Sequence, residues 1–150
     1  MKFSIAAKAV TITVVAALAL FVAPFASAES KSCSLATLKG TFSDRDTGYI
    51  AGLGQFAGVN LYTFDGHGKI TGIGMTSLNG LVISGASSGT YTVNPDCTGT
   101  FEGQDSQGQT HGAYFVIDDG GNELQILVTD PGTVITCIAR RQFPVSDSEQ

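Results

Sequence analysis

Hydrophobic and polar positions alternate along most of the chain after residue 38, in short runs separated by glycine-containing turns. β-branched and aromatic residues fill these runs, which is typical of strands. The pattern predicts eight strands, at about 39–47, 55–64, 69–78, 81–94, 98–105, 109–118, 122–129 and 132–142. The one helical signal is a single turn at 34–38, where Ser34 is a suitable N-cap and Gly40 ends the turn.

The connections between the strands predict that consecutive strands are antiparallel neighbours. The sequence Asp-Gly-His-Gly at 65–68 separates the second and third strands, and Asn-Gly at 79–80 separates the third and fourth. Such residues adopt the backbone angles of tight turns. Because so little helix is available to cover a sheet, we expect an all-β fold, an eight-stranded antiparallel meander that closes into a small barrel. A two-sheet β-sandwich is the alternative.

One predicted strand, at 55–64, is apolar on both faces. Aromatic residues lie on one face, and Ala57, Val59 and Leu61 lie on the other. A strand of this kind must be covered on both sides. We expect the outer face to be covered either by a second copy of the chain, which would make a homo-oligomer, or by the N-terminal segment 29–38.

The first 28 residues predict a secretory signal peptide. Lys2 and Lys8 provide the basic start, residues 10–23 are almost wholly apolar, and small residues precede a cleavage position near Ala28. We therefore expect a secreted or periplasmic protein. The predicted layout is a signal peptide at 1–28, an N-terminal segment at 29–38, a β-barrel domain at 39–142 and a polar tail at 143–150.

The charge of the chain without that peptide argues against two classes of partner. Six of the 8 basic residues then remain against 13 acidic ones, a net charge of about −7. An acidic chain without a basic cluster is a poor match for nucleic acid. Stable membrane insertion as a barrel is also disfavoured, because the strands at 39–47 and 98–105 carry charged and small residues on both faces.

Three cysteines remain in an oxidising compartment, so at most one intramolecular disulfide forms. Cys33 and Cys97 occupy loop-like positions, whereas Cys137 lies inside an apolar strand. These positions favour a Cys33–Cys97 bond, and Cys97–Cys137 stays open as the alternative. The third cysteine would then be a buried apolar residue.

The turn at 65–68 resembles a calcium-binding loop, but the sequence lacks the oxygen ligands that such a loop needs. An EF-hand with its glycine at Gly66 would need an oxygen ligand at Leu61 and a carboxylate at Gly72. We therefore predict a hairpin turn in which Asp65 bonds to its own backbone and His67 points into solvent. No metal site and no cofactor are predicted.

Candidate catalytic residues are few. Alternation places His111 on the face of Phe115, near the mouth of the barrel, where it could act as an acid or base. One arginine of the last strand, Arg141, could face inward and hold a ligand carboxylate. Tyr114 is a further candidate hydroxyl, although alternation places it on the face opposite to His111. The alternative for His111 and Arg141 is an ordinary role at a strand end, exposed to solvent.

Paired carboxylates are a further candidate for acid–base chemistry. Asp44 and Asp46 share a face of the first strand and flank Arg45, a pattern that favours a solvated rim of ion pairs. Asp118 and Asp119 run into two glycines and belong to a turn.

Several segments carry a resemblance to known proteins. They are CSLATLKG at 33–40, TFDGHGK at 63–69, GTYTVNPDCTGT at 89–100 and FVIDDGG at 115–121. Together they resemble a family of small secreted bacterial glycine-rich β proteins that has no established function. The strand count is also similar to the small barrels of calycin and allene-oxide-cyclase type. That likeness implies an apolar ligand in the lumen and transfers no catalytic residue.

These observations lead to the hypothesis of an exported barrel. The sequence does not decide whether the protein is an enzyme, and it favours binding without catalysis. The ligand would be a small apolar or amphiphilic molecule held by Phe56, Tyr62, Phe64 and Phe115. One alternative is an isomerase or cyclase that uses His111, Arg141 and a tyrosine such as Tyr114. The other is a structural or surface-interaction protein with a filled interior.

Overall fold

A computed structural model describes residues 32–143 of the chain. The signal peptide predicted at 1–28 and the tail beyond residue 143 lie outside the described residues. A 3-10 helix at Leu35–Leu38 precedes the first strand, and a second short 3-10 turn lies at Asp119–Gly121. The eight strands are β1 (Gly40–Ile50), β2 (Gly54–Phe64), β3 (Lys69–Leu78), β4 (Leu81–Val93), β5 (Thr98–Asp105), β6 (Thr110–Asp118), β7 (Glu123–Val128) and β8 (Thr133–Arg141).

The strands form a closed antiparallel barrel in chain order, in which β8 pairs with β1. This arrangement confirms the predicted meander and excludes the sandwich. In this closing pair of strands, Phe42 lies opposite Arg141, and Asp46 lies opposite Cys137. We call the end of the barrel where β1 begins the helix end. The opposite end, where the connections at 51–53, 79–80, 106–109 and 129–132 lie, is the loop end.

The strands extend further than predicted where glycine belongs to a strand. β1 continues to Ile50 through Gly48, although glycine at that position resembles the start of a turn. A Cβ at Gly48 would collide with the carbonyl oxygen of Val134 on β8. Glycine is needed here because two backbones approach closely.

The turn at 65–68 is the hairpin connection that the sequence predicts. The carboxylate of Asp65 accepts hydrogen bonds from the backbone N–H of His67 at 2.7 Å and of Lys69 at 2.9 Å. Gly66 and Gly68 have positive φ angles of 81° and 103°, which glycine adopts without strain. The two amide donors hold the pKa of Asp65 below its usual value.

A buried apolar cluster fills the helix end of the barrel. Phe64 forms edge-to-face contacts with Phe42 and Tyr91, with ring centroids 5.3 and 5.0 Å apart. Each large apolar side chain buried here contributes roughly 1.5–3 kcal/mol. The cluster consists of Leu38, Phe42, Phe64, Ile70, Tyr91, Phe115, Ile117, Leu124 and Ala139.

The 3-10 helix lies across the helix end and closes it. Its Leu38 is fully buried, and its Leu35 carbonyl accepts a hydrogen bond from the Tyr91 hydroxyl at 3.0 Å. The Cys33–Cys97 disulfide, with Cα atoms 5.0 Å apart, ties the residues just before this helix to the turn that precedes β5. The predicted pairing of these cysteines is therefore confirmed.

The outer face of β2 is not covered by the helix segment. Residues 32–38 pack on the end of the barrel, while Val59 points outward and is 61% exposed. The expectation that this segment covers the face is wrong for residues 32–38, because its apolar residues are used to close the barrel. Self-association through this face stays a prediction. Within residues 32–143, no helix is long and apolar enough to cross a membrane.

Candidate functional site

The lumen of the barrel is hollow between the buried cluster and the loop end. It contains a cavity of about 610 Å³. Its wall is largely apolar, and its members include Phe56, Tyr62, Phe101, Ile126, Val128 and Ile135. A cavity of this size is typical of sites for small molecules.

Glycines on the inner wall keep the lumen hollow. Three of them are Gly58 in β2 and Gly72 and Gly74 in β3. A Cβ at these positions would collide with the side chains of Asp46, Tyr62 and Asn60, respectively. Because the glycines leave room at the wall, these three polar side chains lie along it.

A polar patch occupies the middle of this wall, and Asp44, Asp46 and Asn60 form its centre. The Asn60 amide nitrogen donates to Asp44 Oδ1 at 2.8 Å and to Asp46 Oδ2 at 3.1 Å. Both aspartates are buried, at 7% and 8% exposure. The predicted solvated rim is therefore wrong. The two carboxylates share the inward face with Phe42, and closure of the barrel removes that face from solvent.

The patch has unusual electrostatics. Burial raises the pKa of Asp44 to about 6, against the opposing hydrogen bond from Asn60, and the nearby Asp46 charge adds to the rise. Burial also raises the pKa of Asp46. Burial and the two carboxylates raise the pKa of the Cys137 thiol to about 12, and they raise that of the Tyr62 hydroxyl as well.

We predict that Asp44 makes the protein less stable as the pH rises. Its folded pKa of about 6 exceeds the ordinary 3.8, so folding favours the protonated form. The stability that the proton provides is present below pH 3.8 and is lost as the pH rises through about 6. The shift corresponds to about 3 kcal/mol.

Asp44→Asn should remove most of this slope, as measured by urea unfolding across the same pH range in chelator-treated buffer. Asp119→Asn, in an exposed turn, is the control and should keep the wild-type slope. Asp46 leaves a shallower residual slope. Equal slopes in the wild type and Asp44→Asn would contradict the assignment.

His111 lies at the loop end, as its alternation predicts, between two carboxylates. Its Nδ1 is 2.7 Å from Asp130 Oδ2, and its Nε2 is 3.3 Å from Asp105 Oδ2. Asp130 also accepts the backbone N–H of Gly112 at 2.7 Å. Partial burial lowers the pKa of His111, but the hydrogen bonds to the two aspartates outweigh it and raise the pKa overall. The histidine thus joins the end of β5 to the 129–132 connection.

The other catalytic candidates lie elsewhere. Arg141 is buried at the helix end and donates to the carbonyl oxygens of Lys39 at 2.5 Å, Thr37 at 2.8 Å and Gly121 at 2.9 Å. Arg141 therefore faces inward, and the exposed position offered as the alternative is wrong, but its guanidinium already binds three backbone carbonyls. Tyr114 points outward and is 43% exposed. The structure does not bring His111, Arg141 and Tyr114 together around one substrate.

The four predicted ligand-binding residues all face inward, at two depths. Phe56 and Tyr62 line the cavity wall. Phe64 and Phe115 lie at its floor, where they are 5% and 2% exposed and belong to the buried cluster. The sequence missed the grouping of Asp44, Asp46 and Cys137. The only available signal was the even spacing of the two aspartates with Phe42.

Comparisons with known proteins add support for the fold. No family model and no curated protein matches the chain. Among solved structures, the chain is similar to a de novo designed fluorescence-activating β-barrel. The two are 18% identical with a TM-score of 0.50, over 73% of this chain and 99% of that one. The fold is a closed β-barrel.

A second solved structure, a redesigned β-barrel, is 16% identical to this chain with a TM-score of 0.49, over 73% of this chain and 96% of that one. The similarity to small secreted bacterial proteins and to calycin-type barrels stays a prediction.

Proposed function

We propose that this protein is an exported barrel that binds a small apolar or amphiphilic molecule in its lumen, without catalysing a reaction on it. The observation that carries this proposal is the cavity of about 610 Å³, which has a largely apolar wall and a polar patch around Asn60. Apolar cavities with a few fixed polar groups are the usual form of small-molecule sites. The wall would bury the apolar part of the ligand, and the patch around Asn60 would orient its polar group.

The loop end provides the entrance. Leu53, Leu78 and Pro131 line the cavity at this end, and the helix end is closed by the buried cluster. The His111 contacts with Asp105 and Asp130 join the end of β5 to the 129–132 connection beside the entrance. A rigid entrance lowers the cost of ordering loops when a ligand binds.

Export is part of the same proposal and rests on two observations. The first 28 residues have the pattern of a signal peptide, and the Cys33–Cys97 disulfide is compatible with a secreted or periplasmic protein. The alternative of an isomerase or cyclase is less well supported, because its candidate groups lie at separate places. The alternative of a structural barrel predicts a filled interior, and the lumen is hollow.

We predict that a bulky residue in the lumen weakens ligand binding. Thr76 points into the cavity from β3, whereas its neighbour Met75 points outward and is 53% exposed. Thr76→Trp should weaken binding of a hydrophobic fluorescent probe at least about tenfold, a change of about 1.4 kcal/mol. The matched control Met75→Trp should bind like the wild type.

Probe titration and native mass spectrometry of the purified protein measure this outcome. Both variants should unfold at similar denaturant concentrations, so that a loss of binding reports the lumen. The proposal would fail if the wild type carried no extractable small molecule and showed no thermal shift with a panel of hydrophobic and amphiphilic compounds. Equal binding by Thr76→Trp and Met75→Trp would place the probe outside the barrel.

A further inference from the structure

The polar patch contains more than an apolar ligand requires. A cysteine, Cys137 on β8, lies beside Asp46 on β1, because these two residues are register partners in the closing pair of strands. One carboxylate oxygen from each of Asp44 and Asp46 and the Cys137 sulfur lie within 4.8 Å of one another. Cys137 is also the one cysteine of the chain outside the disulfide.

Asp46 provides a second observation that points to a cation-binding site. The residue is only 8% exposed, and within residues 32–143 its Oδ1 atom finds no hydrogen-bond partner. A buried carboxylate without compensation costs several kcal/mol, so such atoms in folded proteins are usually paired or bound to a metal. The Asp46 side chain lines the cavity, and its Oδ1 fills the space left by the absent side chain of Gly58.

The surroundings hold the two carboxylates in place. The Asn60 amide donates to one oxygen of each, which leaves Asp44 Oδ2 and Asp46 Oδ1 for another partner. Donors that orient ligating carboxylates in this way are a regular feature of metal sites. No lysine or arginine side chain among the described residues forms an ion pair with either aspartate.

We propose that Asp44, Asp46 and Cys137 bind one divalent transition-metal ion of the Zn²⁺ class inside the barrel. Ca²⁺ and Mg²⁺ prefer sites made only of oxygen ligands, whereas Zn²⁺ accepts carboxylate and thiolate together. Binding exchanges the Cys137 thiol proton for the ion, and the proton leaves to solvent. Three protein ligands leave the fourth position of a tetrahedral ion directed into the cavity.

The experiment uses the exported chain with its disulfide intact, stripped of metal by a chelator and titrated with Zn²⁺ and with Co²⁺. We expect one equivalent of either ion to bind. Co²⁺ should produce a near-ultraviolet thiolate-to-metal charge-transfer band, which reports the sulfur directly. Cys137→Ser should lose this band, and Asp46→Asn should weaken Zn²⁺ binding more than about 100-fold, beyond the usual effect of an orienting residue.

His111→Ala is the matched control. It removes the other place where a ring nitrogen and carboxylates meet, at the loop end. This variant should bind Zn²⁺ with wild-type affinity and keep the Co²⁺ band. Asp44→Asn, which is isosteric, is the second ligand variant if Asp46→Asn does not fold, and its Zn²⁺ affinity should fall by a similar factor.

Several results would overturn the metal site. They are the absence of stoichiometric binding to the wild type, a Co²⁺ complex without a thiolate band, unchanged affinity in both aspartate variants, and loss of binding in His111→Ala. The titration contains no small-molecule ligand. Its failure would leave the proposed lumen binding standing, and a failure of lumen binding would not affect the metal result.

Discussion

Replacing Cys33 and Cys97 together by alanine should lower the free energy of unfolding by about 4 kcal/mol. The disulfide joins residues 64 positions apart, so its removal greatly increases the conformational freedom of the unfolded chain. In the folded state the same region is held by hydrogen bonds from Cys33 N to the Pro95 carbonyl at 3.2 Å and from Ile117 N to the Cys97 carbonyl at 2.8 Å. These bonds should keep the variant barrel native under mild conditions.

Urea unfolding of the double variant and of the reduced wild type gives the measurement. Both should unfold at similarly lowered urea concentrations, and reducing agent should have no further effect on the variant. Cys137→Ser is the control, because it alters a cysteine outside the disulfide and should keep its response to reducing agent. A loss of less than about 1 kcal/mol in the double variant would contradict the assigned role.

Arg141→Met should cost about 3–5 kcal/mol of stability. The guanidinium donates to three backbone carbonyls, at Lys39, Thr37 and Gly121, and lies 4.5 Å from the centre of the Phe42 ring. Methionine has a similar length but no donors. The three carbonyl oxygens would be left without a donor in the closed end of the barrel. Leaving a buried acceptor unsatisfied costs more free energy than removing both partners of a hydrogen bond.

Two further variants make the Arg141 prediction specific. Arg141→Lys keeps the charge, but a single ammonium group cannot reproduce the planar fork, so we expect an intermediate loss. Arg140→Met changes the neighbouring arginine, which is 73% exposed and paired with Glu123, and should cost less than about 1 kcal/mol. Equal urea midpoints for Arg141→Met and Arg140→Met would show that the buried guanidinium stabilises the fold no more than the exposed one does.

The strands were predictable because their signals are local. The turn at 65–68 contains its own hydrogen-bond acceptor in Asp65 and its own positive-φ residues, so a short segment determines the hairpin. The disulfide was favoured for a related reason, because Cys33 and Cys97 both lie in connections. The limits of β1 were less predictable, since the need for glycine at position 48 comes from a strand more than 80 residues away.

The polar patch could not be predicted because it depends on closure. Alternation correctly placed Asp44 and Asp46 on one face, but nothing in the segment says whether that face meets solvent or the opposite wall. Arg141 shows the same limit, because two of its carbonyl partners lie 102 and 104 positions away in the chain. The surroundings of a side chain cannot be predicted from a short segment when its partners are distant in sequence.

The pairing of β1 with β8 has a consequence for how the chain folds. Asp44 pairs with Ala139, so the first strand remains an unpaired edge on one side until the last strand has been synthesised. Contacts between residues this far apart form slowly, because a long loop must close first. Oxidation of Cys33 and Cys97 needs only the chain up to the turn after the fourth strand, so we expect it to precede closure. Until closure the half-made sheet would expose two free edges, and a holding chaperone is the expected protection against aggregation.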